Sequence, residues 1–184
     1  MPVRMGGIFK GLISGVILSV GLATQAHAVE RGPHYILPKL VAMNIFTANP
    51  KVDWLFGGGL LYGYSVTPFV AAEVDFNYAG IGGAYRSATE QGDYQLWTLG
   101  AYAAARQPFG KRAYGKAKLG FLYEDIQKNN DLAPKSSQVV SLSAGIGGGW
   151  VAGQVFGTQL TLEAEYIQIE RDVGTLTLAT HFAF

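Results

Sequence analysis

The last ten residues, Thr175 to Phe184, place large apolar side chains (Leu176, Leu178, Phe182, Phe184) against small or polar ones (Thr175, Thr177, Ala179, His181, Ala183) with a period of two. That is the repeat of a β-strand, whose successive side chains point to opposite faces. A strand that keeps one face apolar up to an aromatic residue must bury that face against something. The same alternation recurs through the sequence and constrains what it can fold into.

Eight alternating stretches follow residue 33: His34 to Phe46, Trp54 to Ser65, Phe69 to Ala79, Tyr94 to Arg106, Ala113 to Glu124, Val139 to Val151, Gln159 to Ile169 and Val173 to Phe184. Glycine, proline, asparagine and aspartate collect between them, as turn chemistry requires. No segment here has the period of an amphipathic helix, and none has the 18 or so consecutive apolar residues of a membrane helix. Eight strands, each near the ~9 to 11 residues that cross a bilayer when tilted, predict an all-β fold, an eight-stranded antiparallel up-and-down transmembrane β-barrel. The connections are ordered too. Val66-Thr67-Pro68 and Gln107 to Arg112 are short, whereas Gly80 to Asp93 and Asp125 to Gln138 read as long polar loops. Short turns belong on the periplasmic side and long loops outside.

The N-terminus supplies the compartment. Arg4 and Lys10 precede the uncharged run Leu12 to Leu22, and Ala26-His27-Ala28 follows with the small-x-small pattern of a signal-peptidase site. Residues 1–28 are therefore expected to be a cleaved signal peptide and residues 29–184 the barrel domain. Of the 184 residues this leaves 156, enough for one domain. Without Arg4 and Lys10, 12 bases stand against 13 acids, a balance with no nucleic-acid footprint. The chain has no cysteine, which excludes a disulfide scaffold, a thiolate metal site and a lipid-modified cysteine anchor.

Charges keep to one face of several strands. Glu73 and Asp75 on the third, Lys116 and Lys118 on the fifth and Glu163 and Glu165 on the seventh lie opposite Val74, Phe76, Leu119, Phe121, Leu162 and Tyr166. A water-soluble barrel could turn the apolar face inward. The aromatic residues, however, band at both strand ends: Phe56, Phe76, Tyr78, Trp97, Phe121, Tyr123 and Tyr166 at one, Tyr62, Tyr64, Phe69, Trp150, Phe182 and Phe184 at the other. Two girdles fit a lipid-facing exterior. The charges then face a lumen only just wide enough for side chains to fill. Small inward residues such as Thr98, Gly100, Ser141, Ser143 and Gly145 leave room for Glu73, Asp75, Lys116, Lys118, Glu163 and Glu165 to meet as a salt-bridged plug. A narrow ion pathway lined by the same charges is the alternative. The first strand sorts in neither phase, because Pro38, Lys39 and Asn44 do not separate cleanly.

The glycine-rich strand, proline-bearing turn and acidic-alternating strand from Phe56 to Tyr78 resemble the recurrent hairpin of the OmpA-like β-barrel domain family, small eight-stranded outer-membrane barrels. The likeness spans essentially all of the chain after Ala28, and the C-terminal Phe182 and Phe184 resemble that class's assembly signal. The resemblance implies residence in the bacterial outer membrane. It also implies contacts with outer-membrane lipids, lipopolysaccharide and the assembly machinery. A monomeric, plugged scaffold is expected, with extracellular loops for a structural or adhesin-like role toward an extracellular ligand or host surface. A porin-like channel is the alternative. Ile81, Tyr85 and Arg86 in the longest predicted loop are candidate recognition residues.

Some eight-stranded outer-membrane barrels modify lipid A, chemistry that needs a base beside a nucleophile. After Ala28 the histidines are His34 and His181, at the same ends of the first and last strands, and no serine stands two residues after His181. Neither an enzyme, a cofactor nor a metal site is expected. Gly57-Gly58-Gly59 and Gly147-Gly148-Gly149 lie inside strands with no following helix, which argues against a phosphate loop and for close approach of neighbouring groups.

Removal of Phe184 is expected to harm assembly far more than stability, since a rim ring loses at most about 1.5 to 3 kcal/mol of burial. The heat-modifiable form of the truncated chain in outer-membrane fractions should fall sharply on gels run without boiling. Normal levels of that form would contradict the signal assignment.

Overall fold

A computed structural model describes residues 34–46, 52–86, 91–130, 135–155, 158–169 and 173–183. Among the described residues the chain forms β1 (His34–Ile45), β2 (Leu55–Ser65), β3 (Val70–Gly82), β4 (Ala84–Arg86), β5 (Gln91–Phe109), β6 (Ala113–Asn130), β7 (Lys135–Val155), β8 (Thr158–Ile169) and β9 (Val173–Ala183). Each strand pairs antiparallel with its neighbours, and β1 joins both β2 and β9, which closes the sheet. β3 and β4 both pair with β5 and make one stave, so the barrel has eight. The expected signal peptide at residues 1–28 and Phe184 lie outside the described residues.

Alternation decides which side chains meet lipid. Leu40, Ile146 and Phe121 point outward and are 71%, 68% and 66% exposed, while their chain neighbours Lys39, Val41 and Leu122 are buried in the lumen. A folded water-soluble domain rarely exposes so continuous an apolar surface; in hydrocarbon it is satisfied. The short turns Val66–Phe69 and Gly110–Arg112 lie at the end carrying His34 and Ala183, which is therefore periplasmic. The first is held by Thr67, whose hydroxyl accepts from the amides of Phe69 at 3.2 Å and Val70 at 3.0 Å.

The structure corrects the reading of the outer connections. Most of Gly80 to Asp93 and of Asp125 to Gln138 is strand and not loop, because β3 to β7 run past the membrane band. β5 and β6 stay paired up to Gly92 and Asn130, and β6 and β7 up to Lys128 and Lys135. Polar side chains such as Gln95, Gln127 and Gln138 mask the continuing sheet from simple alternation. At about 3.3 Å per residue, five residues beyond Trp97 raise a wall of roughly 15 Å on one side of the mouth. Gly82 and Gly83, with φ of 85° and 72°, kink the stave between β3 and β4 in a backbone region that other residues avoid.

The lumen is layered. An outer apolar cluster that includes Val41, Met43, Ile45, Leu55, Leu96, Leu122 and Ile167 lies above the charged belt, and a smaller one with Tyr35, Leu37 and Leu61 lies toward the periplasm. The first strand's phase is thereby fixed: Tyr35, Leu37, Lys39, Val41, Met43 and Ile45 face inward. Four inward tyrosines stand directly across from glycines, in the pairs Tyr35 with Gly63, Tyr85 with Gly92, Tyr102 with Gly120 and Tyr114 with Gly149. A Cβ built on Gly63 would overlap the Tyr35 ring, so the glycine provides the space in which the ring lies against the wall.

Gly63→Val should therefore displace the Tyr35 ring and lower stability by about 1–3 kcal/mol, the usual penalty of overpacking. The urea midpoint of the refolded barrel reads this directly. An unchanged midpoint would mean that Tyr35 has an equally good second position.

Candidate functional site

Eight ionised side chains from five strands meet in the middle of the lumen. β3 brings Glu73 and Asp75 and β8 brings Glu163 and Glu165, while Lys39 comes from β1, Arg106 from β5, and Lys116 and Lys118 from β6. Each pair on one strand is two residues apart, which is what puts both members on the inner face. β2, β7 and β9 contribute uncharged inward residues at this level, among them Gly59, Gly145, Gly147 and Thr177.

The contacts form a continuous chain. Lys39 pairs with Asp75, whose other oxygen is 3.0 Å from Lys118 Nζ. Lys118 reaches Glu165 at 3.0 Å, and Glu165 lies 3.7 Å from Lys116. Lys116 then holds Glu163 at 2.8 Å and Glu73 at 3.0 Å, and Arg106 closes the chain on Glu73 at 2.8 Å. All eight are buried. Four positive and four negative charges cancel, which is the condition for holding ions out of water.

Tyrosines complete the belt. Tyr35 donates its hydroxyl to Glu73 at 2.8 Å, and Tyr114 donates to Glu163. The Arg106 guanidinium lies 4.3 Å from the centroid of the Tyr35 ring and the Lys118 ammonium 4.3 Å from that of Tyr102, both within cation–π range. His181 stacks on Tyr35 with centroids 4.7 Å apart, and His34 Nδ1 is 2.7 Å from the Tyr62 hydroxyl.

The six charged residues singled out from the sequence are thus brought together, and two more cations join them. Lys39 belongs to the strand whose phase the sequence left open. The alternation ends at Arg106, but β5 continues to Phe109. The sequence signal for both was charge balance, since four acids facing two lysines require further cations. The recognition candidates separate. Ile81 is 72% exposed at the outer rim, across from Phe56, and Arg86 ends β4. Tyr85 is only 2% exposed and is no surface contact: the kink at Gly82-Gly83 turns it inward, where its ring packs 4.9 Å from Tyr94 and Lys128 sits 4.5 Å from its centroid. Phe182 faces lipid from β9, across from Leu160 on β8 and Ile36 on β1.

A closed antiparallel barrel with an apolar exterior and a charged interior is the architecture of an integral outer-membrane protein. The sequence matches the outer membrane protein beta-barrel domain over residues 14–181, and the chain belongs to that family. It resides in the bacterial outer membrane. No curated protein matches it in sequence. Among solved structures it is similar to Ail, the attachment invasion locus protein of Yersinia pestis, with a TM-score of 0.62 and 16% identity over 84% of this chain and 99% of that one. Neisserial surface protein A gives a TM-score of 0.63 at 12% identity, covering 85% and 100% of the two chains. OprG from Pseudomonas aeruginosa gives 0.58 at 10% identity, covering 84% and 97%. At these identities the likeness is one of fold.

Lys116→Met should strand Glu163 and leave Glu73 and Glu165 each with one cation. Breaking a buried pair in this way costs about 3–5 kcal/mol. Adding Glu163→Gln should recover part of the loss, because the abandoned charge is then removed. Denaturant midpoints of the two variants test this, and an unchanged midpoint for Lys116→Met would place the lysine in water.

Proposed function

We propose that the protein is a plugged membrane scaffold whose role is recognition at the cell surface, carried by the outer wall of β4 to β7. The observation that carries this reading is the neutral eight-charge belt, continuous across the lumen and covered by apolar side chains on both sides. A wide polar passage would leave such charges hydrated, whereas here they satisfy one another. With the lumen filled, contact with other molecules falls to the wall, to the exposed ends of its strands and to Ile81 of the adjoining β3 at the outer rim.

The chain acts as a binder and not as an enzyme in this reading. His181 is buried in the lumen against Tyr35 and His34 sits beside Tyr62, arrangements that suit a lumen-end and an interfacial polar residue. Export through a cleaved signal at residues 1–28 and insertion guided by Phe182 and Phe184 belong to the same proposal. So do a monomeric state and contacts with lipopolysaccharide. One of the structural neighbours, Ail, has been crystallised with the heparin analogue sucrose octasulfate, so a sulfated saccharide is a sensible first probe of this wall.

Planar-bilayer recording of the refolded protein is expected to show no steady unitary conductance; regular openings would favour the narrow-channel alternative. Shortening residues 84–92 and 128–135 to tight turns should leave heat-modifiable migration intact and abolish surface binding measured on whole cells. Binding that survives both truncations would move recognition away from the wall.

A further inference from the structure

The outer lipid boundary of the barrel is marked by rings, and just beyond them by amides. Phe76, Trp97 and Tyr123 touch in sequence, with centroids 6.4 Å and 5.1 Å apart and the second pair tilted by 44°. Elsewhere along this boundary a ring hydroxyl finds an amide: Tyr78 donates to Gln95 at 3.5 Å and Tyr166 to Gln168 at 2.6 Å. On β6 the next outward position after Tyr123 is a carboxylate, Asp125, directly across from Trp97 on β5 and Gln138 on β7.

Asp125 is only 6% exposed. Its Oδ2 accepts one hydrogen bond, from Gln138 Nε2 at 3.3 Å, and its Oδ1 is buried with no hydrogen-bond partner. Among the described residues it makes no ion pair, in contrast to the four carboxylates of the charged belt. An ionised carboxylate held out of water without a cation is costly. At headgroup depth the membrane itself offers one. Aromatic faces beside the carboxylate favour an organic ammonium over a hydrated metal ion. The unfilled acceptor favours an ammonium that can donate N–H bonds, hence a primary amine and not a quaternary one. Among the described residues β7 pairs with β8 from Ser143 onward, so Gln138 lies beyond that pairing and its exposed side chain can give way to an incoming headgroup.

We propose that Asp125, Trp97 and Tyr123 form a site for the primary ammonium of an outer-leaflet lipid headgroup. The ammonium donates to Asp125 Oδ1 and lies against the Trp97 and Tyr123 rings, while the acyl chains run down the apolar wall over Phe121 and Leu119. The site is on the outside of the barrel and is independent of what the wall recognises above it.

Native mass spectrometry of barrels in nanodiscs of equal phosphatidylethanolamine, phosphatidylcholine and phosphatidylglycerol tests the site. Wild type should retain phosphatidylethanolamine over phosphatidylcholine. Asp125→Asn should lower that preference by about fivefold, the order expected of one ammonium contact at an interface. Trp97→Leu should weaken it while leaving the carboxylate in place, which keeps the test open if Asp125→Asn fails to reach the heat-modifiable form. A parallel arm compares lipopolysaccharide with and without ethanolamine substituents, and selective retention of the substituted form names the saccharolipid as the source of the amine. Equal retention of choline and ethanolamine lipids by wild type, or an undiminished preference in both variants, would overturn the proposal. Displacement of the lipid by calcium, reversed by a chelator, would reassign the site to a metal ion.

Discussion

Lys116 holds Glu73 and Glu163 directly and reaches Glu165, and the interior of the barrel is built around that arrangement. An eight-stave barrel cannot leave its centre empty, and a purely apolar filling would have to be matched in shape from every strand. Long charged side chains solve the geometry differently. Each spans several ångströms from its own wall, and opposite charge tells it which neighbour to meet. The belt gains little net stability over an apolar filling, since desolvation offsets most of the attraction. What it supplies is register: a strand slipped by one residue would turn Glu73 and Asp75, or Lys116 and Lys118, into lipid.

The layers above and below the belt give that specification its force. With Val41, Met43, Leu55, Leu96 and Ile167 on the outer side and Leu37 and Leu61 on the periplasmic side, water is kept from the charges, and an unmatched one has no solvent to fall back on. The tyrosine and glycine pairs join the two regimes. Tyr35 and Tyr114 lie over glycines on adjacent strands, present apolar faces to their surroundings and direct their hydroxyls to Glu73 and Glu163. A residue larger than glycine at the facing position would push the ring, and with it the carboxylate it supports.

The strands and the lipid-facing side were legible in the sequence because membrane burial enforces a period of two wherever the chain crosses hydrocarbon. The same constraint exposed six of the eight charges, since a carboxylate between two apolar neighbours in a strand has only the lumen to enter. Legibility failed where the enforcing environment changes. On β1 both faces are largely apolar, one toward lipid and one toward the outer cluster, so Lys39 had no contrast to mark its side. Past Trp97 and Tyr123 neither face of β5 and β6 meets hydrocarbon; the outer face turns polar at Gln95, Asp125 and Gln127 while Tyr94, Leu96 and Ile126 stay inward, so the apolar phase inverts and a continuing sheet reads as a loop. Tyr85 lay beyond a glycine kink that resets the inward phase, and its partner Gly92 carries no periodic signal of its own.

The wall that rises beyond the membrane is one-sided, and that asymmetry follows from strand length. β1, β2, β8 and β9 stop near the aromatic boundary, whereas β5, β6 and β7 are 19, 18 and 21 residues long. Backbone pairing holds the projection as sheet, so it presents side chains on a stiffer frame than a loop of equal length would, with less ordering entropy left to lose on contact. Its inner face, with Lys128 over Tyr85, continues the filling of the barrel, while its outer face begins at Asp125 and Gln138 where the headgroups lie. A rigid support for the wall therefore depends on the belt below it, because the strands that project are those that carry Arg106, Lys116 and Lys118 into the lumen. The interactions that fill the barrel also fix the angle and register at which its outer surface meets the cell exterior.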